Sequence, residues 1–284
     1  MTTAAREEIP PLFQGLFDDA ALFPPGNSPM PDAVRLHGEH RRSAHAGLVG
    51  GFVCPSGRLS ELDAAAREND LGTRAVSLTV PGGADELARA VRSVGAYPGL
   101  RLAAIEVPVP AGELPAALRE LSTVAAAEGC AVFVEVPVRD VTASISDQLA
   151  ESGLCLKVRT GGTVAEAFPD DAMLAAAIGT AVRSRVRFKC TAGLHNAIRH
   201  VDPATGFAHH GFLNVLLSVH AAQIGSAVAG DLLAARDPAD LARQVRALSP
   251  EAAETLRAQF RSIGSCSITE PLNDLRTLGL VSAA

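Results

Sequence analysis

Lysine is almost missing from this chain. Of its 25 basic residues only Lys157 and Lys189 are lysines, so the remaining 23 are arginines. Arginine can carry surface charge, but its guanidinium stays protonated and cannot act as an amine nucleophile. Tryptophan is absent and Tyr97 is the single tyrosine, which argues against a large aromatic binding platform. No run of about 18 uninterrupted apolar residues occurs, so no segment is expected to span a membrane. Met1 to Pro11 is polar and carries Arg6, Glu7 and Glu8, without the apolar stretch of a signal peptide. The cysteines, at 54, 130, 155, 190 and 266, are odd in number and form no CxxC pair. They read as free thiols in a reducing cytoplasm. The formal net charge of −6, with no long basic run, speaks against a nucleic-acid surface. A cytoplasmic homo-oligomer with a small-molecule substrate, and neither nucleic acid nor membrane as partner, is the resulting expectation.

What is present is a large apolar fraction, 48% of 284 residues, enough for an extensive core. Short runs rich in Val, Ile, Leu and Ala predict strands at 14–23, 46–54, 74–80, 101–109, 130–138, 154–160, 186–192 and 262–268. Amphipathic stretches between them, at 31–43, 58–69, 84–95, 113–128, 145–152 and 171–184, predict helices. The strands scarcely alternate, as expected when both faces of a parallel sheet are covered. Eight such units without a hairpin turn between them predict one (β/α)8 barrel domain over 1–284. An open doubly wound sheet is the alternative, but no GxGxxG follows the first strand. One interval breaks the rhythm: about seventy residues separate strands seven and eight. This insertion, 195–260, holds a His-rich loop (195–210) and helices predicted at 211–228, 237–248 and 250–260. At the C-terminal face of a barrel such a loop is a candidate lid or substrate wall, with packing on the outside as the plainer alternative.

Both lysines lie in near-copies of one motif, Leu-Cys-Leu-Lys-Val-Arg-Thr-Gly-Gly (154–162) and Arg-Phe-Lys-Cys-Thr-Ala-Gly-Leu (187–194). Residues two apart on a strand share a face, which groups Lys157 with Arg159 and Lys189 with Thr191. A second echo, Ile-Glu-Val-Pro-Val (105–109) and Val-Glu-Val-Pro-Val (134–138), sets Glu106 and Glu135 among valines. A carboxylate there is costly unless paired. Four consecutive strands would thus bring Glu106, Glu135, Lys157 and Lys189 together inside a barrel. An interior salt-bridge cluster without chemistry is the bland reading; buried pairs stabilise little, which favours function. Burial and a second ammonium would lower a lysine pKa and leave an amine able to form a Schiff base with a carbonyl, with a carboxylate shuttling protons.

The two lysine motifs resemble those of class I aldolases of the deoxyribose-phosphate aldolase type. The resemblance implies that Lys157, in Lys-Val-Arg-Thr-Gly-Gly, is the Schiff-base residue and that Lys189 is the amine that tunes it. It further implies that Ser262-Ile-Gly-Ser-Cys-Ser267 is a phosphate loop, with Gly264, Ser265 and Ser267 binding substrate. Glu106 would stand where that family has an aspartate. The likeness covers strands four to eight, and the strand-seven turn and the long insertion depart from it. The implied reaction is that of a lyase needing no cofactor.

Histidine provides the competing signal. His195, His200, His209 and His210 fall within 16 residues after strand seven. As neutral imidazoles they could hold Zn or Mn and make the chain a metal-dependent hydrolase or isomerase, although their spacing fits no standard zinc motif. Without a metal, they and Arg199 could bind an anionic substrate. Asp18 and Asp19 sit inside the apolar first strand, so one should face the interior; Asp19 is carried as a candidate substrate contact. Cys266 could line the site, whereas Cys190 faces away from Lys189. A non-catalytic small-molecule-binding barrel is the remaining possibility.

Overall fold

Runs that are apolar at nearly every position become strands covered on both faces. The computed structural model describes residues 8–69, 72 and 74–282. Residues 1–7, part of the polar N-terminal stretch, lie outside that range. Eight parallel strands close into a barrel: β1 (Phe17–Asp19), β2 (Val49–Pro55), β3 (Arg74–Thr79), β4 (Leu100–Pro108), β5 (Ala131–Val136), β6 (Cys155–Arg159), β7 (Arg187–Thr191) and, after a short hairpin of β8 (His200–Val201) and β9 (Ala208–His209), β10 (Phe260–Ser265). Their order is β1-β10-β7-β6-β5-β4-β3-β2, so closure excludes the open doubly wound sheet.

Helices α1 (Met30–Arg42), α2 (Leu59–Glu68), α3 (Ala84–Val94), α4 (Leu114–Glu128), α5 (Ala143–Glu151) and α6 (Asp171–Arg183) fill the connections as far as β7. Between β9 and β10 run α7 (Phe212–Gln223), α8 (Ala229–Ala234), α9 (Pro238–Arg246) and α10 (Pro250–Gln259); α11 (Thr269–Thr277) closes the chain. Several ends are set by local chemistry: Thr142, Asp170, Asp237 and Ser249 each accept a backbone N–H at the start of α5, α6, α9 and α10.

Two predicted elements differ from the sequence reading. The first strand, expected over 14–23, pairs only at Phe17–Asp19. Gly15 turns the chain at φ 57°, and after Asp19 the Phe23 N–H closes a turn on the Ala20 carbonyl at 2.9 Å. The helix expected over 211–228 is two: α7 stops before Gly225, whose φ of 69° breaks the spiral, and α8 follows. Asn214, fully buried on α7, joins the pieces. Its Nδ2 donates to the carbonyls of Leu232 and Ala235 at 2.7 and 2.8 Å, and its Oδ1 accepts from Arg199 N–H at 2.9 Å. Phe212 at the start of α7 meets Phe17 edge-on with ring centroids 5.2 Å apart. Such pairs contribute about 0.5–1.5 kcal/mol beyond their buried area. Among the described residues no helix is long and apolar enough to cross a membrane.

Candidate active site

Register places the charged residues before any side-chain detail is considered. Glu135 pairs with Lys157 and Lys157 with Lys189 across β5, β6 and β7, so three charges occupy one row of neighbouring strands. Flanking residues such as Leu156, Val158, Phe188 and Cys190 are buried against the surrounding shell. Alternation then turns the lysines inward.

Inside the barrel the charges form one network. Lys157 Nζ lies 2.7 Å from Glu106 Oε2 and 2.8 Å from Glu135 Oε2. Lys189 Nζ lies 2.8 Å from Glu106 Oε1 and 2.5 Å from Asp18 Oδ2. Arg159 Nε caps the other oxygen of Glu135 at 2.9 Å. Two strand serines complete the set: Ser77 Oγ donates to Glu106 Oε1 at 2.7 Å and Ser262 Oγ to Asp18 Oδ2 at 2.6 Å. Gly51 N–H reaches Asp18 Oδ1 at 3.0 Å, and a Cβ on Gly50 would stand 2.3 Å from that same oxygen. The Gly50-Gly51 pair therefore makes room for Asp18. Three carboxylates face three cations, and the network is formally neutral.

That balance decides the protonation states. Burial alone would raise the Glu106 pKa, but the charges and hydrogen bonds of Lys157 and Lys189 outweigh it and hold the carboxyl well below the usual carboxylate range. Glu135 is likewise lowered, with Lys157 and Arg159 overcoming its burial. For Lys189, burial pulls downward, yet Asp18 and Glu106 win and raise the ammonium above an ordinary lysine. The expectation that crowding would lower a lysine here is thus reversed at Lys189. The sequence reading set a second ammonium beside it, but the structure places two carboxylates in direct contact.

The two lysines are not equivalent. Lys189 is sealed, with 1% of its side chain exposed, whereas Lys157 opens onto a pocket of about 220 Å³ at the C-terminal ends of the strands. Glu106, Arg159, Thr191, His195, Gly264 and Cys266, all candidates from the sequence, line this pocket, and Thr79, Thr163 and Phe23 join them. Thr79 Oγ1 is buried and has no hydrogen-bond partner among the described residues. The repeated motif also explains its own glycines. Thr160 Oγ1 donates to the Ala192 carbonyl at 2.6 Å, and a Cβ on Gly161 would fall 2.8 Å from the Gly193 Cα. The loops after β6 and β7 therefore interlock backbone to backbone beside the pocket.

Other candidates are placed elsewhere. Asp18, not Asp19, faces the interior; Asp19 Oδ2 meets His37 Nδ1 on α1 at 2.9 Å. Adjacent strand residues point to opposite faces, so only one of the pair could turn inward. Ser265 Oγ donates to the Ser267 carbonyl at 2.6 Å, and Ser267 Oγ accepts from Glu270 N–H at 3.2 Å, so both hydroxyls are engaged in the turn into α11. Gly264 alone of the three expected phosphate-loop contacts lines the pocket.

The four histidines diverge. His210, wholly buried, has Nε2 2.8 Å from the Pro169 carbonyl and Nδ1 3.2 Å from Arg199 Nη1. Arg199 in turn pairs with Asp171 on α6 at 2.7 Å. His200 Nδ1 meets the Ile198 carbonyl at 3.1 Å, and its ring packs 5.2 Å from His209, which lies 4.5 Å from Phe168. Only His195 lines the pocket. Among the described residues no group of three or more His, Cys, Asp or Glu side chains is arranged to hold a metal ion, so the four-histidine metal site is not formed. The density of histidine in the sequence came from a hairpin and its anchors; His209 has ring contacts, but its buried Nε2 has no hydrogen-bond partner among the described residues. Missing from the sequence reading were Ser77, Thr79 and Glu270, and Ser262, expected in the phosphate loop, instead bonds Asp18; a serine or threonine in a strand sends no signal of its partner.

No protein-family model matches the chain, and no curated protein matches it. Solved structures with distant likeness include the carboxyl transferase domain from Rhizobium etli pyruvate carboxylase with pyruvate, at 9% identity and TM-score 0.49 over 91% of this chain and 52% of that one. The chain therefore spans about half the length of that structure. D-psicose 3-epimerase in the presence of D-fructose matches at 11% identity and TM-score 0.42, over 86% of this chain and 99% of that chain. A putative dihydrodipicolinate synthase family protein from Coccidioides immitis matches at 14% identity and TM-score 0.42, over 96% and 97%. None of these three is an aldolase of the deoxyribose-phosphate type. The chain is an eight-stranded parallel α/β barrel on the strength of its own strand pairing.

Proposed function

We propose that this barrel is a lyase of the class I aldolase kind, acting on a small carbonyl compound through a Schiff base at Lys157. The observation that carries this reading is an amine set between two carboxylates at the wall of a pocket: Lys157 Nζ, 2.7 Å from Glu106 and 2.8 Å from Glu135. At about 220 Å³ the pocket is smaller than the roughly 300–1,000 Å³ of drug-sized sites, which suits a substrate of a few carbon atoms. Arg159 is half-exposed at the pocket and uses Nε on Glu135, so the rest of its guanidinium can take a carboxylate or phosphate on the substrate.

Glu135 is the more exposed of the two carboxylates beside Lys157, and it takes one proton from the ammonium as the carbonyl docks. The freed amine attacks the carbonyl carbon, and one of its protons passes to the oxygen to give the neutral carbinolamine. Loss of that hydroxyl as water, with the proton returned from Glu135, leaves the protonated imine. One ammonium and one carbonyl become one iminium and one water, with no net proton uptake. The net charge facing Glu106 and Glu135 is therefore the same before and after, but the iminium keeps one N–H where the ammonium had three, so only one of the two carboxylates retains its hydrogen bond to the nitrogen. When the bond between the α and β carbons breaks, its electron pair moves to the iminium to give an enamine, the β carbon leaves as an aldehyde, and its hydroxyl proton passes to Glu135. Lys189 does not touch the substrate; it holds Glu106 and Asp18 in position.

Borohydride added with a panel of small aldehydes, ketones and keto acids tests the reading. A reduced adduct on Lys157, lost in Lys157→Ala, is expected; retained turnover in that variant overturns it. A second reading keeps Lys157 as an ammonium that stabilises an enolate without a covalent bond. Its support is that both carboxylates already engage Nζ, and it expects turnover to be lost in Lys157→Ala with no trapped adduct.

A further inference from the structure

Away from the lysines, the same pocket holds a second ordered set of groups. Cys266, in the turn after β10, has its Sγ 3.7 Å from each ring nitrogen of His195, in the loop after β7. His195 Nδ1 lies 3.1 Å from Glu270 Oε2 on α11. With Nδ1–H donated to that carboxylate, Nε2 is left as an acceptor 3.7 Å from the thiol sulfur. A nucleophile, a base and a group that orients the base is the arrangement that activates a side chain for covalent chemistry.

We propose that Cys266 is a second nucleophile of this pocket, with His195 as its base and Glu270 as the residue that positions the ring, and that its target is an aldehyde. Burial pushes the Cys266 thiol up to about 11, against the opposing pull of the Gly26 backbone N–H. Burial also lowers His195 despite Glu270. The resting pair is therefore a thiol beside a neutral imidazole, and the proton leaves as sulfur attacks. The S–C bond forms while the carbonyl π pair moves to oxygen. The thiol proton passes to His195 Nε2 and from there to that oxygen, giving a hemithioacetal. No oxidant and no leaving group are needed, which is why an aldehyde suits this site better than an ester. Cys266 and Lys157 line one pocket, so a reversible thiol adduct would hold an aldehyde near the amine. The inference rests on the shared pocket and stands whether or not Lys157 forms an imine.

Alkylation of the full chain by iodoacetamide at neutral pH, read by peptide mass spectrometry, tests it. Cys54, Cys155 and Cys190 are buried, and half-buried Cys130 is the internal reference. Cys266 should be labelled before Cys130. His195→Asn should slow its labelling by roughly a hundredfold or more, the scale of a lost general base, and Glu270→Gln by less. Glycolaldehyde should protect Cys266, also in Lys157→Ala, where no imine can form. If His195→Asn does not fold, His195→Gln takes its place. Labelling of Cys266 no faster than Cys130, an unchanged rate in folded His195 and Glu270 variants, or no protection by glycolaldehyde overturns the proposal.

Discussion

Lys157 and Glu106 meet at 2.7 Å through Oε2, and the other oxygen of that carboxylate is occupied by Lys189 at 2.8 Å. A single buried carboxylate thus bridges both lysines of the chain. Its charge keeps two ammonium groups compatible with the centre of an apolar barrel.

Glu106→Gln removes that charge and leaves Lys189 with Asp18 alone. Breaking one side of a buried ion pair costs about 3–5 kcal/mol, and this carboxylate serves two partners. Urea denaturation should show a loss of at least that order, with any activity abolished. A loss below about 1 kcal/mol, the usual worth of an exposed pair, would contradict the network's role.

Lys189→Met and Lys157→Met should separate stability from chemistry. Lys189 is sealed and touches Asp18 and Glu106, so its loss should be the more destabilising. Lys157 opens on the pocket, where water can solvate what it leaves behind, so its variant should stay folded but inactive. The check is circular dichroism and urea midpoints beside turnover. The reverse ranking would assign the structural role to the wrong lysine.

Stability should form a plateau bounded on both sides. Glu106 is depressed below its ordinary 4.5, so its contribution is full above that pH. It shrinks as pH falls below 4.5 and vanishes past the depressed folded value. Lys189 is raised above its ordinary 10.5, so its contribution is full below that pH and is lost as pH rises through the folded value. Urea midpoints across pH should therefore decline below about 4.5 and above about 10.5. Glu106→Gln should flatten the acid limb; an unaltered acid limb would contradict the assignment.

His210→Ala should act on the loop rather than on the chemistry. It strips partners from the Pro169 carbonyl and from Arg199 at a site with no solvent, a cost of the order of 1–3 kcal/mol. Hydrogen exchange should rise over residues 195–210 while dialysis against a chelator leaves activity as it was. Activity lost with the metal and regained with zinc would restore the metal reading.

The barrel was legible because unalternating apolar runs at regular intervals leave few other arrangements, and the four charged strand residues were legible because a charge among valines demands a partner. Glu106, Glu135, Lys157 and Lys189 meet as alternation predicts. Choosing between Asp18 and Asp19 needed the register of a three-residue strand, where a shift of one residue exchanges the faces. His195 and Cys266 are 71 positions apart, and the pairing of β10 beside β7 brings them together. The hydroxyls of Ser265 and Ser267 close the turn into α11, a local competition that residue types alone do not reveal.

Borohydride reduction in the presence of a carbonyl panel, followed by peptide mapping, bears most directly on the central claim. A single reduced adduct on the peptide carrying Lys157, absent in Lys157→Ala and retained in Cys266→Ser, is the predicted result. Turnover of a carbonyl substrate with no adduct at Lys157, or turnover that survives in Lys157→Ala, would contradict it.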